Sequence, residues 1–248
     1  MSIAIPTAPT SVRLTPRPAL TPRTTTSFRL PRRSTRSFPA IPVRPEYLLK
    51  PILDYALAFA MALVAVPVLA VAALMVKLTS PGPAIYSQLR VGRGGRPFTI
   101  FKIRTMRHNC ELGTGPKWST ANDDRITPLG KVLRALHVDE LPQLWNVFRG
   151  EMSLIGPRPE RPEIVADLRR NVHGYDCRHQ VKPGITGFAQ VHLPPDSCLQ
   201  TVKNKLIYDR YYLNRMGLRL DVAILVCTAM KVLGLRGLYR RRPRMEVL

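Results

Sequence analysis

From Tyr55 to Val76 the sequence runs YALAFAMALVAVPVLAVAALMV without one charged residue. As an α-helix those residues cover roughly 33 Å at ~1.5 Å per residue, enough to cross the hydrocarbon core of a bilayer. A helix buried in a soluble core is usually shorter and shows a polar stripe, so the run predicts insertion into a membrane. Two features complicate a plain crossing. Pro67 removes a helical hydrogen bond and clashes with the preceding turn, so a kink or break is expected there. Arg44 and Lys50 precede the run, and Lys77, Arg90, Arg93, Arg96 and Lys102 follow it. Lys and Arg beside a membrane segment favour the cytoplasmic side. A helix that enters, bends at Pro67 and returns to the same face satisfies both flanks. A kinked crossing is the alternative, because membrane helices tolerate proline.

The charge balance narrows the partners. The chain carries 38 Lys+Arg against 16 Asp+Glu, a formal net charge of +22. Eight of those positive charges are arginines that precede Glu46, the first acidic residue, in a stretch rich in Pro, Ser and Thr. Such a stretch has little to bury and is read as a solvated basic tail, with an organelle transit peptide as the minority reading. The remaining +14 is spread along the chain, so an acidic partner is expected: anionic lipid, a phosphorylated small molecule or nucleic acid. No aromatic-rich nucleic-acid module is visible, which argues against the last. Cys110, Cys177, Cys198 and Cys227 form no C-x-x-C pair and are read as ordinary thiols.

After the apolar run, Ser80-Pro81-Gly82-Pro83 is a turn. Ala84–Arg90 and Pro97–Ile103 read as a β-hairpin around Gly92, Gly94 and Gly95, and residues 107–123 as a surface loop. Helices are expected over Leu129–Leu136, Leu141–Phe148, Pro162–Asn171 and Lys203–Met216. Leu218–Leu235 is apolar but holds Arg219, Asp221 and Lys231, and reads as an interfacial helix with its polar side toward water. Tyr208, Tyr211 and Tyr212 suit either headgroup level or core packing.

The densest chemical constellation is His137-Val138-Asp139-Glu140-Leu141-Pro142. Adjacent residues on a helix point about 100° apart, so the two carboxylates can serve one site only in different roles. Pro142 favours a helix start, placing Asp139 near the N-cap. A carboxylate there can act as a nucleophile toward phosphorus while its neighbour holds a divalent cation. Taken alone, such a pair is more often a plain N-terminal charge pair. Candidate phosphate-binding cations are Lys102 and Arg104, alternating along the second hairpin strand, and Arg158, held between two prolines. Lys182 precedes a further Pro-Gly turn. No G-x-x-x-x-G-K-[ST] or G-x-G-x-x-G device is present.

These residues resemble the bacterial sugar transferases, the polyprenyl-phosphate hexose-1-phosphate transferases. The stretches that carry the resemblance are KPILD at 50–54, Pro67, SPGP at 80–83, FKIRTM at 101–106, NDDRIT at 122–127, LPQLWNVFRGEMSLIGPRPE at 141–160 after Asp139-Glu140, KPGITGFAQV at 182–191 and YDRYYL at 208–213. Val191-His192-Leu193-Pro194-Pro195 departs from the V-N-G-R-N pattern of many members.

The resemblance implies a chain that is mainly α with a small β-hairpin, monotopic in the membrane, with a re-entrant N-terminal helix broken at Pro67 and interfacial amphipathic helices. The expected organisation is a basic tail over 1–45, the membrane helix over 46–79 and a catalytic domain over 80–248. The implied reaction takes a UDP-sugar and a polyprenyl (undecaprenyl) phosphate to a polyprenyl diphosphate sugar and UMP, with Mg2+, initiating exopolysaccharide or a related glycan. Asp139 is then the nucleophile and Glu140 the metal ligand. Lys102, Arg104 and Arg158 contact phosphate, and Asp209 lies near the site. The implied location is the bacterial inner membrane, with the catalytic domain facing the cytoplasm. Partners to expect are the two substrates, membrane lipids, downstream glycosyltransferases and a second copy of the chain, but no nucleic acid. A non-catalytic basic polyanion binder and a glycosyltransferase cleaving the C1–O bond are the competing readings.

Overall fold

The apolar run lies inside a longer helix. In the computed structural model, which describes residues 45–111, 123–196 and 198–235, α1 spans Lys50–Thr79 and includes Pro67. Pro51 occupies its first turn, where a missing N–H costs nothing. The basic tail over 1–45, apart from its last position, and most of the loop read at 107–123 fall outside the described residues.

Two short sheets and a set of helices follow. β1 (Ile85–Val91) pairs antiparallel with β2 (Pro97–Ile103), Ile85 opposite Ile103. Gly94 and Gly95 take positive φ in the connecting turn, a region glycine enters without steric cost. α2 (Pro128–Ala135) starts at Thr127, whose hydroxyl accepts the Gly130 N–H at 3.0 Å. α3 (Leu144–Phe148) leads into β3 (Ser153–Ile155). α4 covers the expected Pro162–Asn171. β4 (Gly184–Thr186) pairs parallel with β3 and is followed by α5 (Phe188–His192), α6 (Leu199–Arg215) and α7 (Leu218–Val232). The protein is thus mainly helical, as expected. The parallel β3–β4 pair was not anticipated from sequence.

One face of α1 packs against the rest of the chain. Ala58 and Ala65 join the main core with Val91, Ile100, Leu144, Val147 and Leu154. Ala72 and Val76 join a second cluster with Ala84, Ile103 and Leu133. Alanines seven residues apart form a narrow seam that lets the helix approach closely. The bulky residues point away: Val64 is 68% exposed and Val66 64%. At the N-terminal end, Lys50 Nζ lies 2.7 Å from Asp221 on α7, and Ser153 Oγ donates to Asp54 at 2.7 Å. At the C-terminal end, Arg104 donates to the carbonyl and hydroxyl of Ser80, both at 2.8 Å.

Of the two readings open for the tyrosines of α6, core packing holds: Tyr212 is buried and Tyr211 stacks on Phe188 at 4.9 Å. Two expectations are corrected here. α1 continues through Pro67 without the expected break, helical on both sides of it. α7 keeps Arg219 exposed but does not turn the rest of its polar side to water. Asp221, Thr228 and Lys231 all point into the protein, bonding Lys50, Thr186 and the Gln190 carbonyl. The apolar side faces out because these inward polar groups have partners on α1, β4 and α5.

Candidate active site

Asp139 and Glu140 lie on a 3-10 helix, Val138–Gln143, packed between β2 and α1. The expected α-helical start does not occur at this point. His137 takes a left-handed conformation, φ 57°, which reverses the chain after α2. Pro142 has no N–H to give to the Val138 carbonyl, so α-helical bonding begins only at Leu144. Asn146, fully buried, fixes α3 by donating to the Thr99 carbonyl on β2 at 2.7 Å. The pair is therefore held on both sides by β2 and by elements tied to it.

The two acids have different surroundings. Glu140 is gripped by two cations: Lys102 Nζ reaches Oε1 at 2.7 Å, while Arg158 donates to Oε1 at 2.5 Å and to Oε2 at 3.2 Å. Burial works against the Glu140 charge, but Arg158 and Lys102 outweigh it and hold the carboxyl well below the usual carboxylate range. Glu140 in turn pushes the Arg158 guanidinium upward. Burial pulls the Lys102 ammonium down, with Glu140 opposing.

Asp139 is buried, and its carboxylate makes no hydrogen bond or ion pair among the described residues. Burial pushes its carboxyl above the usual value; Lys102, Arg134 and Arg158 pull the other way, and Glu140 adds to the rise. Asp139 is thus a desolvated carboxylate beside three cations, with its oxygens open to another group.

Arg158 is positioned by backbone. The β3–β4 pairing continues past the strands: Gly156 N–H donates to the Thr186 carbonyl at 2.9 Å, and Gly184 N–H to the Pro157 carbonyl at 3.0 Å. A Cβ on Gly184 would sit 2.0 Å from Gly156 N, so this crossing needs glycine. From the other side, Val91 N–H donates to the Glu160 carbonyl at 2.9 Å and Arg90 to the Pro159 carbonyl at 3.0 Å. The Pro157-Arg158-Pro159 turn is clamped between the two sheets.

The other predicted residues divide. Lys102 and Arg158 meet at Glu140. Arg104 falls just past β2 and donates to Ser80 at the end of α1, with no hydrogen bond to the acidic pair among the described residues. Asp209, on α6, pairs with Arg178 at 2.9 Å in a small cavity also lined by Glu160, Tyr175, Asp196 and Lys205. Burial raises the Asp209 carboxyl while Arg178 and Lys205 oppose. Arg178 also borders a second small cavity with Arg158 and His179, which links this cluster to the site.

Sequence reasoning missed Arg134. This α2 residue donates to Thr105 Oγ1 at 2.8 Å and acts electrostatically on Asp139. In the sequence it is one cation of an amphipathic helix, and the positive-φ turn at His137 that brings it back is not legible there.

The family model for bacterial sugar transferases matches residues 45–235. The chain belongs to the bacterial sugar transferase family. Among its relatives, a UDP-glucose:undecaprenyl-phosphate glucose-1-phosphate transferase of Xanthomonas campestris is 44% identical over 70% of this chain and 36% of its own length. A protein of the same name from Caulobacter vibrioides is 39% identical, covering 77% of this chain and 72% of the relative. The exopolysaccharide production protein PSS of Rhizobium leguminosarum is 34% identical over 76% of this chain and 96% of the relative. The match therefore spans little more than a third of the Xanthomonas transferase and almost all of the Rhizobium exopolysaccharide production protein. In this sugar transferase the matched region holds every described residue of the acidic pair and its cations.

Proposed function

We propose that this protein transfers a hexose-1-phosphate from a UDP-sugar to a polyprenyl phosphate, releasing UMP, through a phosphosugar ester on Asp139. The observation that carries the reading is the contrast within the acidic pair. Glu140 is committed to Lys102 and Arg158, whereas buried Asp139 has free oxygens beside Lys102, Arg134 and Arg158. Desolvation raises the basicity of a carboxylate, and nearby cations stabilise charge on transferring phosphate.

In the first half-reaction an Asp139 oxygen attacks the phosphorus that bears the sugar. An Asp139 O–P bond forms, the P–O bond to UMP breaks, and its electron pair leaves on UMP. In the second half-reaction a phosphate oxygen of the polyprenyl phosphate attacks the same phosphorus. The Asp139 O–P bond breaks and the carboxylate is regenerated. Arg158 and Lys102 are positioned to grip the donor phosphates, with Glu140 orienting both cations. The names of the relatives, which cover glucose and N-acetylgalactosamine donors and an exopolysaccharide protein, support the substrate classes and a role at the start of glycan assembly.

Magnesium belongs to this proposal. It takes one or two carboxylates and completes its shell with water and phosphate. Glu140 beside the open oxygens of Asp139 fits that small donor set. No cluster of three or more acidic, His or Cys groups that could hold a metal occurs among the described residues. When bound, the ion would add positive charge next to the transferring phosphate; Glu140 would hold it only by exchanging a hydrogen bond from Lys102 or Arg158 for the ion.

The proposal includes a re-entrant α1 in the bacterial inner membrane, with the catalytic domain on the cytoplasmic side. α1 docks onto one domain at both ends, through Lys50–Asp221 and through Ser80–Arg104, while its bulky face is bare. An arrangement with one end on each side of a bilayer would leave one of these contacts unmade.

The test is UMP release. Detergent-solubilised protein given UDP-sugars and polyprenyl phosphate should release UMP, and Asp139→Asn should release none. Release of UDP would favour C1–O cleavage, and full activity of Asp139→Asn would remove the nucleophile.

A further inference from the structure

We propose that Tyr86 on β1 is the platform for the uracil base of the donor, so that the leaving UMP lies along the hairpin face that starts at Lys102. The inference rests on the transfer reading and adds to it the place of the nucleotide. In an antiparallel pair, residues opposite each other share a face, and every second residue returns to it. Tyr86 stands opposite Lys102, Gln88 opposite Ile100 and Arg90 opposite Phe98, so all six share one face. Phe98 and Ile100 are buried on it, whereas Tyr86 is 41% exposed. The Cβ atoms of a directly opposed pair such as Tyr86 and Lys102 are about 5 Å apart. The Lys102 ammonium in turn reaches Glu140, next to Asp139. The ring therefore stands one side chain away from the acidic pair.

A relay of side chains fixes the Tyr86 hydroxyl. Arg90 donates to the Pro159 carbonyl at 3.0 Å, to Glu160 at 3.4 Å and to the Gln88 amide oxygen at 2.5 Å. Arginine has no acceptor, so Gln88 must present its oxygen to Arg90 and its nitrogen to Tyr86. That nitrogen donates to the Tyr86 oxygen at 2.9 Å. The phenol oxygen is thus engaged as an acceptor, and its proton is left to donate outward, to an oxygen such as a uracil carbonyl. Burial raises the Tyr86 hydroxyl, with Glu111 adding to the rise and Arg161 and Arg90 opposing, so the proton stays on at neutral pH. The relay begins at the backbone that clamps Arg158 and ends at an exposed aromatic ring. Charge follows the same path. Arg158 and Arg161 both act on Arg90, and Arg90 and Arg161 act on Tyr86, so the cationic strip that starts at Lys102 continues to the ring. With the sugar-bearing phosphorus at Asp139, the second phosphate of the donor falls on this strip and the nucleoside beyond it. A planar base offers a π-face that stacks on an aromatic side chain.

The experiment titrates the full chain in detergent, by calorimetry, with UMP and with ribose 5-phosphate, which keeps the phosphate and ribose but has no base. Tyr86→Ala should weaken UMP binding about tenfold, the loss expected for one base–aromatic stack. Tyr86→Phe keeps the ring and should stay within about threefold of wild type, the loss expected for one neutral hydrogen bond. Ribose 5-phosphate should bind wild type and both variants alike, which also shows that the variants are folded. Equal losses for the two ligands, or a Tyr86→Phe loss as large as that of Tyr86→Ala, would overturn the proposal. So would unchanged UMP affinity in Tyr86→Ala; a raised KM for UDP-sugar in that case puts the hexose on the ring instead. UMP release from UDP-sugar by the same samples separates this inference from the transfer reading. Tyr86-dependent UMP binding without any release sinks the transfer reading and leaves the base platform. Release with UMP binding indifferent to Tyr86 sinks the platform alone.

Discussion

Glu140→Gln removes the charge that holds Lys102 and Arg158 together. The wild-type carboxylate accepts three charge-assisted hydrogen bonds, at 2.5, 2.7 and 3.2 Å, from side chains that are 18% (Lys102) and 32% (Arg158) exposed. Breaking a fully buried pair costs about 3–5 kcal/mol, because the partner charge is left without compensation. Arg158 is a third exposed and glutamine keeps one accepting oxygen, so about 2–3 kcal/mol is expected here. For a domain of this size that corresponds to a fall in Tm of roughly 4–12 °C. The pH dependence has a fixed sign. The Glu140 carboxyl lies well below its ordinary value in the folded protein, so its stabilisation is present above the unfolded-chain pKa. The gap between wild type and variant should be constant from about pH 8 to pH 5. It should shrink only below the unfolded-chain value of ~4.3. Thermal melts in one detergent across that range measure it. An unchanged Tm at pH 7, or a gap that closes between pH 7 and pH 5, would refute the assignment of Glu140 as the anionic clasp.

Asp139→Asn should do the opposite to stability while removing turnover: relieving a buried, unpaired charge is expected to raise stability at pH 7 by about 0.5–2 kcal/mol, read by melting in the same detergent. Because burial raises the Asp139 carboxyl, the acid limb of UMP release in single-turnover assays should fall above the ~3.9 of a free aspartate; a limb at or below that value contradicts the desolvated nucleophile. Gly184→Ala places a Cβ 2.0 Å from Gly156 N and should cost about 1–3 kcal/mol or more, with a loss of kcat as the Arg158 turn shifts. Lys50→Ala leaves Asp221, at 7% side-chain exposure, without its cation, and should lower stability by about 3–5 kcal/mol in melting experiments.

What the sequence revealed was local. A charge-free run long enough to cross a bilayer, Pro and Gly turns, and alternating apolar residues placed α1, the hairpin and α4. The Asp139-Glu140 pair and Arg158 stood out because rigid residues surround them. Features that depend on distant partners were not legible. β3 and β4 are three residues each, and their pairing joins segments about thirty residues apart through glycines whose need is visible only when two backbones cross. α7 showed a mixture of apolar and charged residues, but composition does not say which side faces the protein; the partners Lys50, Thr186 and Gln190 decide that. The different environments of Asp139 and Glu140 likewise come from Lys102, Arg134 and Arg158, which are separated along the chain and converge only in the fold.

The most direct test of the account is the covalent intermediate. Protein incubated with UDP-sugar and magnesium, without polyprenyl phosphate, should release one equivalent of UMP. Peptide mass spectrometry should then find a hexose phosphate on Asp139, which disappears when polyprenyl phosphate is added. UMP release only in the presence of the acceptor, with no adduct on Asp139, would contradict it.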